Sequence, residues 1–144
     1  MAAAEDSSID GLAGQFQGKG TWRDSAGNSA DYDAILTIRV LDDGLEVTQR
    51  HVHSGGTSEG TYRLERVAPY IYRVEGQDDD GGGYGFVMND VLRFCFDNPI
   101  GTITEIGYQA TAPGVLAAYG FTNRNSSGNY IMWHEELKHS AGAA

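Results

Sequence analysis

The chain is poor in several residue types, and each shortage excludes a class of protein. Its 144 residues include one cysteine, Cys95, so no internal disulfide can form. Ten lysines and arginines stand against 20 aspartates and glutamates, and the resulting formal charge of -10 disfavours nucleic acid and anionic membranes as partners. No apolar run reaches the length of a membrane-spanning helix, and three prolines do not make a proline-rich repeat.

The ends of the chain carry little that could pack. Residues 1–8 lack the basic start and the apolar run of a secretory signal, and we therefore predict a cytoplasmic location. Small and acidic residues without aromatic anchors predict a disordered tail at 1–8, and a second disordered tail is predicted at 140–144. A chain of this length fits one domain, which we place at 9–139.

Glycine is abundant and divides the chain into short segments. Between the 20 glycines, apolar residues alternate with polar ones, which is typical of half-buried strands. Asn, Asp and Pro accompany glycine at the boundaries, where turns need them. This pattern predicts ten strands, at residues 15–23, 31–41, 44–53, 58–67, 70–76, 83–88, 91–97, 102–111, 115–124 and 129–138.

Ten strands joined by short connections predict an all-β fold, a single up-and-down antiparallel β-barrel of about eight to ten strands. Closure removes the two free edges that an open sheet of this size would leave. Residues 8–15 are predicted to form a short N-terminal helical plug at one end of the barrel, with Leu12 and Phe16 at helical spacing. A β-sandwich is the alternative, although it needs longer crossing connections than the chain has outside residues 78–83.

The first strong strand carries Gly18-Lys19-Gly20-Thr21-Trp22, and a meander of strands fills the rest of the chain. In this pattern the chain resembles the calycins, which are the lipocalins, the cytoplasmic fatty-acid-binding proteins and the nitrobindin-like haem barrels. The resemblance implies that Trp22 closes the barrel base beneath a basic side chain from a late strand, for which Arg124 and Lys138 are candidates.

Within the calycins, this opening stretch and Thr48-Gln49-Arg50 look like the nitrobindin-like group. In that group haem is held by a histidine near the end of the chain. The resemblance therefore implies haem binding through His134 as one alternative. Apart from that alternative, no cofactor is predicted.

The most distinctive chemical feature is the pair His51 and His53. Residues two apart in a strand share one face, so both imidazoles project in the same direction as Gln49. Leu45 and Val47 lie on that face and favour an inward orientation. If the face pointed outward, the histidines would be ordinary solvated residues.

A His-x-His pair on a strand also opens the metal motif of the cupins, and Glu59 follows it at nearly suitable distance. The cupin pattern requires a further histidine on the strand after a proline-glycine turn, and the stretch Asn98-Pro99-Ile100-Gly101 is not followed by one. The sequence therefore predicts no metal site.

Two further residues are candidates for acid–base chemistry. His134 lies in the last strand next to carboxylates, and Glu105 would be a functional candidate if it faced the interior. With His51 and His53 they form the candidate catalytic set. An outward Glu105 would be an ordinary surface charge.

The sequence thus predicts intracellular binding of a small, partly apolar molecule inside the barrel, with tyrosine, arginine and histidine side chains at its polar end. The alternative is a cofactor-free lyase, isomerase or hydrolase that uses cavity histidines as acid–base groups. The expected partner is a small-molecule ligand, and the expected state is a monomer or a homodimer. The predicted ligand-binding residues are Gln49, His51, His53, Tyr62, Tyr72, Phe86, Tyr108, Tyr119 and His134.

Overall fold

The computed structural model describes residues 11–75, 82–97, 103–123 and 130–140, and these residues form ten β-strands. Their bounds differ from the predicted strands by at most two residues at either end. In chain order the strands are β1 (Gly14–Asp24), β2 (Ser29–Leu41), β3 (Gly44–His53), β4 (Gly56–Ala68), β5 (Ile71–Val74), β6 (Gly82–Met88), β7 (Val91–Asp97), β8 (Ile103–Ala112), β9 (Val115–Asn123) and β10 (Tyr130–His139).

The ten strands close into a barrel. Each strand pairs antiparallel with its neighbours in sequence, and β1 also pairs with β10. This closing ladder runs from Phe16 opposite His139 to Asp24 opposite Ile131. The predicted fold class, a single up-and-down antiparallel barrel, is confirmed, and every described strand has a partner on both sides.

The predicted helical plug lies partly outside the described residues, which begin at residue 11. Residues 11–12 form a turn, and Gly14 already begins β1. Leu12 is buried in the core at 1% exposure. The part of the chain that the structure describes contains no helix, and therefore none that could cross a membrane.

The outer face of the barrel carries ion pairs between neighbouring strands. Arg39 of β2 lies opposite Glu46 of β3, and their Nη1 and Oε1 atoms are 2.9 Å apart. Arg93 of β7 forms an ion pair with Glu105 of β8, which lies diagonally from it in the ladder. Because exposed ion pairs contribute only about 0–1 kcal/mol each, the stability of the barrel depends mainly on its interior.

The interior divides into two ends. At the packed end, where β1 starts and β10 finishes, alternate side chains meet in a continuous apolar core. At the open end, the half-buried Trp22 and Trp133 and the polar Gln49 and His51 fill the interior less completely. The packed end buries Phe16, Leu36, Leu45, Leu64, Leu116 and Leu137, each at 1% exposure or less.

Leu137 is fully buried on β10, so its substitution tests the closing ladder. Leu137→Ala should lower the free energy of unfolding by about 2–5 kcal/mol through lost burial and the cavity left behind. Lys138→Ala, at the next and exposed position, is the matched control and should change it by less than about 0.5 kcal/mol. Urea unfolding measures both, and equal losses would contradict the inward position of Leu137.

Candidate functional site

A cavity of about 610 Å³ occupies the open end of the barrel and opens to solvent. Its volume is within the range of about 300–1,000 Å³ that is usual for small-molecule sites. Six strands and one turn contribute to its lining, which consists of Trp22, Ala30, Tyr32, Gln49, His51, His53, Ser54, Ser58, Thr122, Ile131 and Trp133.

A buried carboxylate, Glu135 of β10, lies behind this lining with only 3% of its surface exposed. The hydroxyl of Tyr32 donates a 2.6 Å hydrogen bond to Oε2 of Glu135. Nε2 of His51 lies 3.0 Å from the same oxygen atom. The rings of Tyr32 and His51 also contact each other, with centroids 4.5 Å apart. We call these three residues the carboxylate cluster.

Gly20 of β1 leaves the space in which the carboxylate cluster forms. It lies opposite Glu135 on one side and opposite Tyr32 on the other. A Cβ atom at position 20 would come within 2.5 Å of Cζ of Tyr32 and 2.7 Å of Cγ of Glu135. Because both distances are far below van der Waals contact, the short hydrogen bond across β1 requires a glycine.

The nitrogen Nε2 of His51 is buried, and no described residue forms a hydrogen bond with it, since the nearby Glu135 oxygen lies outside hydrogen-bond geometry. Leaving a buried polar atom unsatisfied costs about 1–3 kcal/mol. A protonated imidazole would form an ion pair with Glu135. A neutral imidazole would keep one nitrogen as a hydrogen-bond acceptor.

Gln49 connects the cavity to the packed end. Its Oε1 atom accepts a 2.8 Å hydrogen bond from the hydroxyl of Tyr108. Its side chain also hydrogen-bonds to Tyr62, whose ring packs 5.5 Å from Phe94 and 5.3 Å from Phe96. The two tyrosines therefore fix the position of the Gln49 side chain at the inner end of the cavity.

Burial keeps the tyrosines of this region protonated. It raises the pKa of Tyr32 well above the ordinary value of 10.0, and the charge of Glu135 and its hydrogen bond raise that pKa further. Burial also raises the pKa of Tyr108, again with a contribution from the charge of Glu135. For Tyr62, burial raises the pKa and the hydrogen bond with Gln49 opposes the rise. At neutral pH all three hydroxyls are neutral and able to donate.

Two indole rings form the apolar wall of the cavity. Trp22 and Trp133 lie opposite each other on β1 and β10, on the inner face. The ring of Trp133 lies against Gly120 of β9, where a Cβ atom would come within 1.9 Å of its Cζ2. Only a glycine leaves room for the indole there. We call these two residues the tryptophan wall.

The structure places most of the predicted ligand-binding residues inside the barrel. Gln49, His51 and His53 line the cavity, and His53 reaches its rim, with Nε2 3.2 Å from Oγ of Ser58. Tyr62 and Tyr108 lie beneath Gln49. Tyr72 is part of the packed core at 2% exposure and does not reach the cavity.

Four of the predicted residues lie on the outer face, because they alternate along their strands with residues that point inward. Glu105 is bound to Arg93, and Phe86 lies opposite Arg93 in the β6–β7 ladder. Tyr119 and His134 are partners across β9 and β10. These positions correct the prediction for all four, since none of them faces the cavity.

The calycin resemblance implies two details for Trp22, and the structure corrects the first of them and excludes one of the two candidates for the second. Trp22 lines the open cavity and does not close the packed end. Lys138 pairs with Gln17, five residues along β1 from Trp22, and its side chain is on the outer face. Arg124, the other candidate cation, lies outside the described residues.

The metal set that the His-x-His pair could begin is not assembled. His51 and His53 face the interior, whereas Glu59 is opposite the exposed Arg50 on the outer face. Among the residues that the structure describes, no three metal-binding side chains converge on one point.

Sequence reasoning missed the carboxylate of the cluster and its phenol partner, Glu135 and Tyr32. The signal for Glu135 was present in β10, where it shares one face with Ile131, Trp133 and Leu137 at a spacing of two residues. Three apolar residues at a period of two mark that face as inward, and Glu135 is the acidic residue among them.

No protein-family model matches the chain, and no curated protein matches its sequence. Solved structures match its shape. Rv2717c from M. tuberculosis aligns over 94% of this chain and 97% of its own, with a TM-score of 0.71 and 14% identity. The S-type phycobiliprotein lyase CPES from Guillardia theta aligns over 94% of this chain and 92% of its own, with a TM-score of 0.73 and 7% identity.

A third similar structure is EF1p2_mFAP2b bound to DFHBI, which aligns over 92% of this chain and 95% of its own, with a TM-score of 0.51 and 11% identity. These likenesses establish the fold. The calycin resemblance, including any subgroup within it, stays a prediction. At such low identities the fold does not carry an activity with it.

The raised tyrosine pKa values predict a loss of stability in alkali. Above about pH 10, the unfolded chain releases tyrosine protons that the folded barrel retains, so unfolding becomes more favourable as pH rises. Each such tyrosine should lower the free energy of unfolding by up to about 1.4 kcal/mol per pH unit. The stability that these protonated groups provide is fully present below pH 10.

Urea unfolding between pH 8 and pH 11.5 measures this dependence. Tyr32→Phe should make the alkaline slope shallower, because one retained proton is removed. Tyr84→Phe, at a position 63% exposed on the outer face, is the control and should leave the slope unchanged. The same slope in all three proteins would show that Tyr32 titrates freely.

Proposed function

We propose that the protein binds a small, partly apolar molecule in the cavity at the open end of the barrel. The observation that carries this proposal is the division of the lining into an apolar side and a polar side. The tryptophan wall offers flat apolar surface, and His51 and Gln49 of β3 offer polar groups. A few fixed polar groups in a mainly apolar concavity are typical of small-molecule sites.

The polar groups are held in place before any ligand arrives. Gln49 is hydrogen-bonded to Tyr108, and His51 is held between Glu135 and the ring of Tyr32. A ligand therefore meets side chains that need little ordering, which reduces the entropic cost of binding.

The similar structures support a small-molecule occupant. One of them is named as a phycobiliprotein lyase, and another was solved with DFHBI bound. The fold of this chain therefore accommodates small ligands in other proteins. The ligand of this chain has to be inferred from its own lining.

A neutral apolar fluorophore, N-phenyl-1-naphthylamine, tests the proposal. We expect a saturable increase in its fluorescence, with one molecule bound per barrel. Trp133→Ala should weaken binding about tenfold or more, since removal of the indole costs at least about 1.4 kcal/mol of contact. Isothermal titration calorimetry would confirm the affinity and stoichiometry.

Met132→Ala is the matched control, because Met132 is the neighbour of Trp133 and is 42% exposed on the outer face. It should leave the affinity unchanged. Failure of wild-type protein to bind the probe saturably, or equal weakening by both substitutions, would count against the cavity as the site.

The carboxylate cluster supports a second candidate function, acid–base catalysis without a cofactor. An imidazole held by a buried carboxylate next to a cavity is an arrangement that can remove or return a proton. Here His51 would act on the bound molecule, and Glu135 would orient the imidazole and stabilise its protonated form. The other candidate catalytic residues are less suited, since Glu105 and His134 face outward and His53 lies at the rim.

Ring opening of 5-nitrobenzisoxazole tests this second function. A base removes the carbon-bound proton of this compound while its N–O bond breaks, and the cyanophenolate product is coloured. If His51 is the base, His51→Ala should lower kcat/KM at least about tenfold, and His134→Ala should leave it unchanged. Equal rates in wild type and His51→Ala would exclude His51 as the base.

The haem alternative does not fit the described residues. His134 would have to reach the interior to ligate a haem inside the barrel, and its side chain lies on the outer face next to Tyr119. Residues 124–129 aside, no Lys or Arg lines the cavity to pair with propionate groups. We therefore assign no role to haem.

A further inference from the structure

We propose that the ligand of this cavity is a cation, a flat aromatic ring that carries a protonated amine. The inference rests on the proposed function and names the chemical class of the molecule bound there. The ammonium group would lie at the His51 side of the cavity, within the field of Glu135, and the ring would stack on the tryptophan wall.

A buried negative charge lies behind the cavity wall. Glu135 is 97% buried, since 3% of its surface is exposed, and charges in such positions are screened little by salt. None of the described lining residues is a lysine or an arginine. His51 is the one described group at the cluster that could neutralise Glu135, and it does so only when protonated.

The contacts at Oε2 of Glu135 leave its charge without a described cation when His51 is neutral. The hydroxyl of Tyr32 is neutral and gives this oxygen one hydrogen bond without cancelling its charge. With a neutral His51, a nitrogen without a hydrogen-bond partner and a carboxylate oxygen lie 3.0 Å apart. A positive group at this side of the cavity stabilises the carboxylate oxygen in this region of low dielectric constant, and it also stabilises Nε2 when the imidazole proton is on Nδ1.

The tryptophan wall provides an aromatic surface that attracts cations. Indole faces carry negative electrostatic potential and attract ammonium groups more strongly than the other aromatic side chains do. Trp22 and Trp133 form a wall of two such rings. The same wall stacks favourably with a flat aromatic ring on the ligand.

The electrostatic field outside the cavity is also negative. The chain has a formal charge of -10. Asp31 and Asp33 lie in a shallow second hollow that shares Tyr32, His53 and Ser54 with the cavity lining. Lys19 also lines this hollow and forms an ion pair with Asp33, so Asp31 provides its net negative charge. A negative field around an opening attracts cations and repels anions such as fatty acids. The sequence led us to expect arginine side chains at the polar end of the ligand, which would favour an anion. The charges around this cavity favour a cation instead.

Three indoles with the same ring and different charge test this inference. Tryptamine is a cation at neutral pH, tryptophol is neutral and indole-3-propionate is an anion. By calorimetry at low salt, tryptamine should bind wild-type protein at least about tenfold more tightly than tryptophol, and indole-3-propionate should bind most weakly. Added salt should reduce this preference only partly, since Glu135 is buried.

Glu135→Gln should reduce the advantage of tryptamine over tryptophol to less than about threefold, while the amide that replaces the carboxylate can still accept the hydrogen bond from Tyr32. Glu136→Gln is the matched control, because Glu136 is the next residue on β10 and is exposed. It removes the same formal charge and should retain the tenfold advantage. Circular dichroism of each variant verifies its fold.

The outcomes separate the two proposals. If all three indoles bind wild-type protein with similar affinity and Trp133→Ala weakens all of them, the cation preference is wrong and the proposed function stands. A stronger binding of indole-3-propionate would also overturn it. If neither the indoles nor N-phenyl-1-naphthylamine bind, both proposals fail. The ligand series on wild-type protein decides the matter even if Glu135→Gln does not fold.

Discussion

The ladder between β1 and β10 is the constraint on which the candidate site depends. It closes the barrel, and it also places Glu135 opposite Gly20 at one particular step of the register. Gly20 is in turn opposite Tyr32 on β2. A carboxylate and a phenol that are 103 residues apart in sequence thereby meet across a single glycine, with a hydrogen bond of 2.6 Å. A shift of one residue would turn Glu135 to the outer face.

The packed end of the barrel provides stability, and the open end contains the candidate site. Burying Glu135 costs free energy, and Tyr32 and His51 offset only part of that cost, since Nε2 of His51 lacks a hydrogen bond. The packed end supplies the compensating stability through fully buried leucines such as Leu64 and Leu116. This separation allows the open end to keep a cavity and an incompletely satisfied polar cluster, as functional sites in proteins commonly do.

The barrel fold alone does not distinguish between holding a molecule and transforming it. Both candidate functions use the same few residues, because the imidazole that could bind a ligand nitrogen could equally accept a proton. The site supports the proposal of an aromatic, positively charged ligand. Indole surface lines the cavity, no described lysine or arginine does, and a buried carboxylate lies behind the lining.

Much of the fold could be predicted from alternation. Apolar residues at a period of two, interrupted by glycines, locate the ten strands to within two residues, since a half-buried strand needs that pattern whatever its partners are. The same reasoning places Gln49 and His51 inside, because Leu45 and Val47 share their face. For Glu105, the apolar face of Ile106 and Tyr108 already indicated an outward position.

By itself, then, the sequence determined which residues form strands and which face of each strand is apolar, because these are local properties of neighbouring side chains. It did not show that Glu135, Tyr32 and His51 meet, because that depends on the pairing of strands distant along the chain. Nor did it show that Trp22 lies at the open end and not at the packed end. Only the tertiary structure decided these points, since the register of the closing ladder is set by packing of the whole barrel at once.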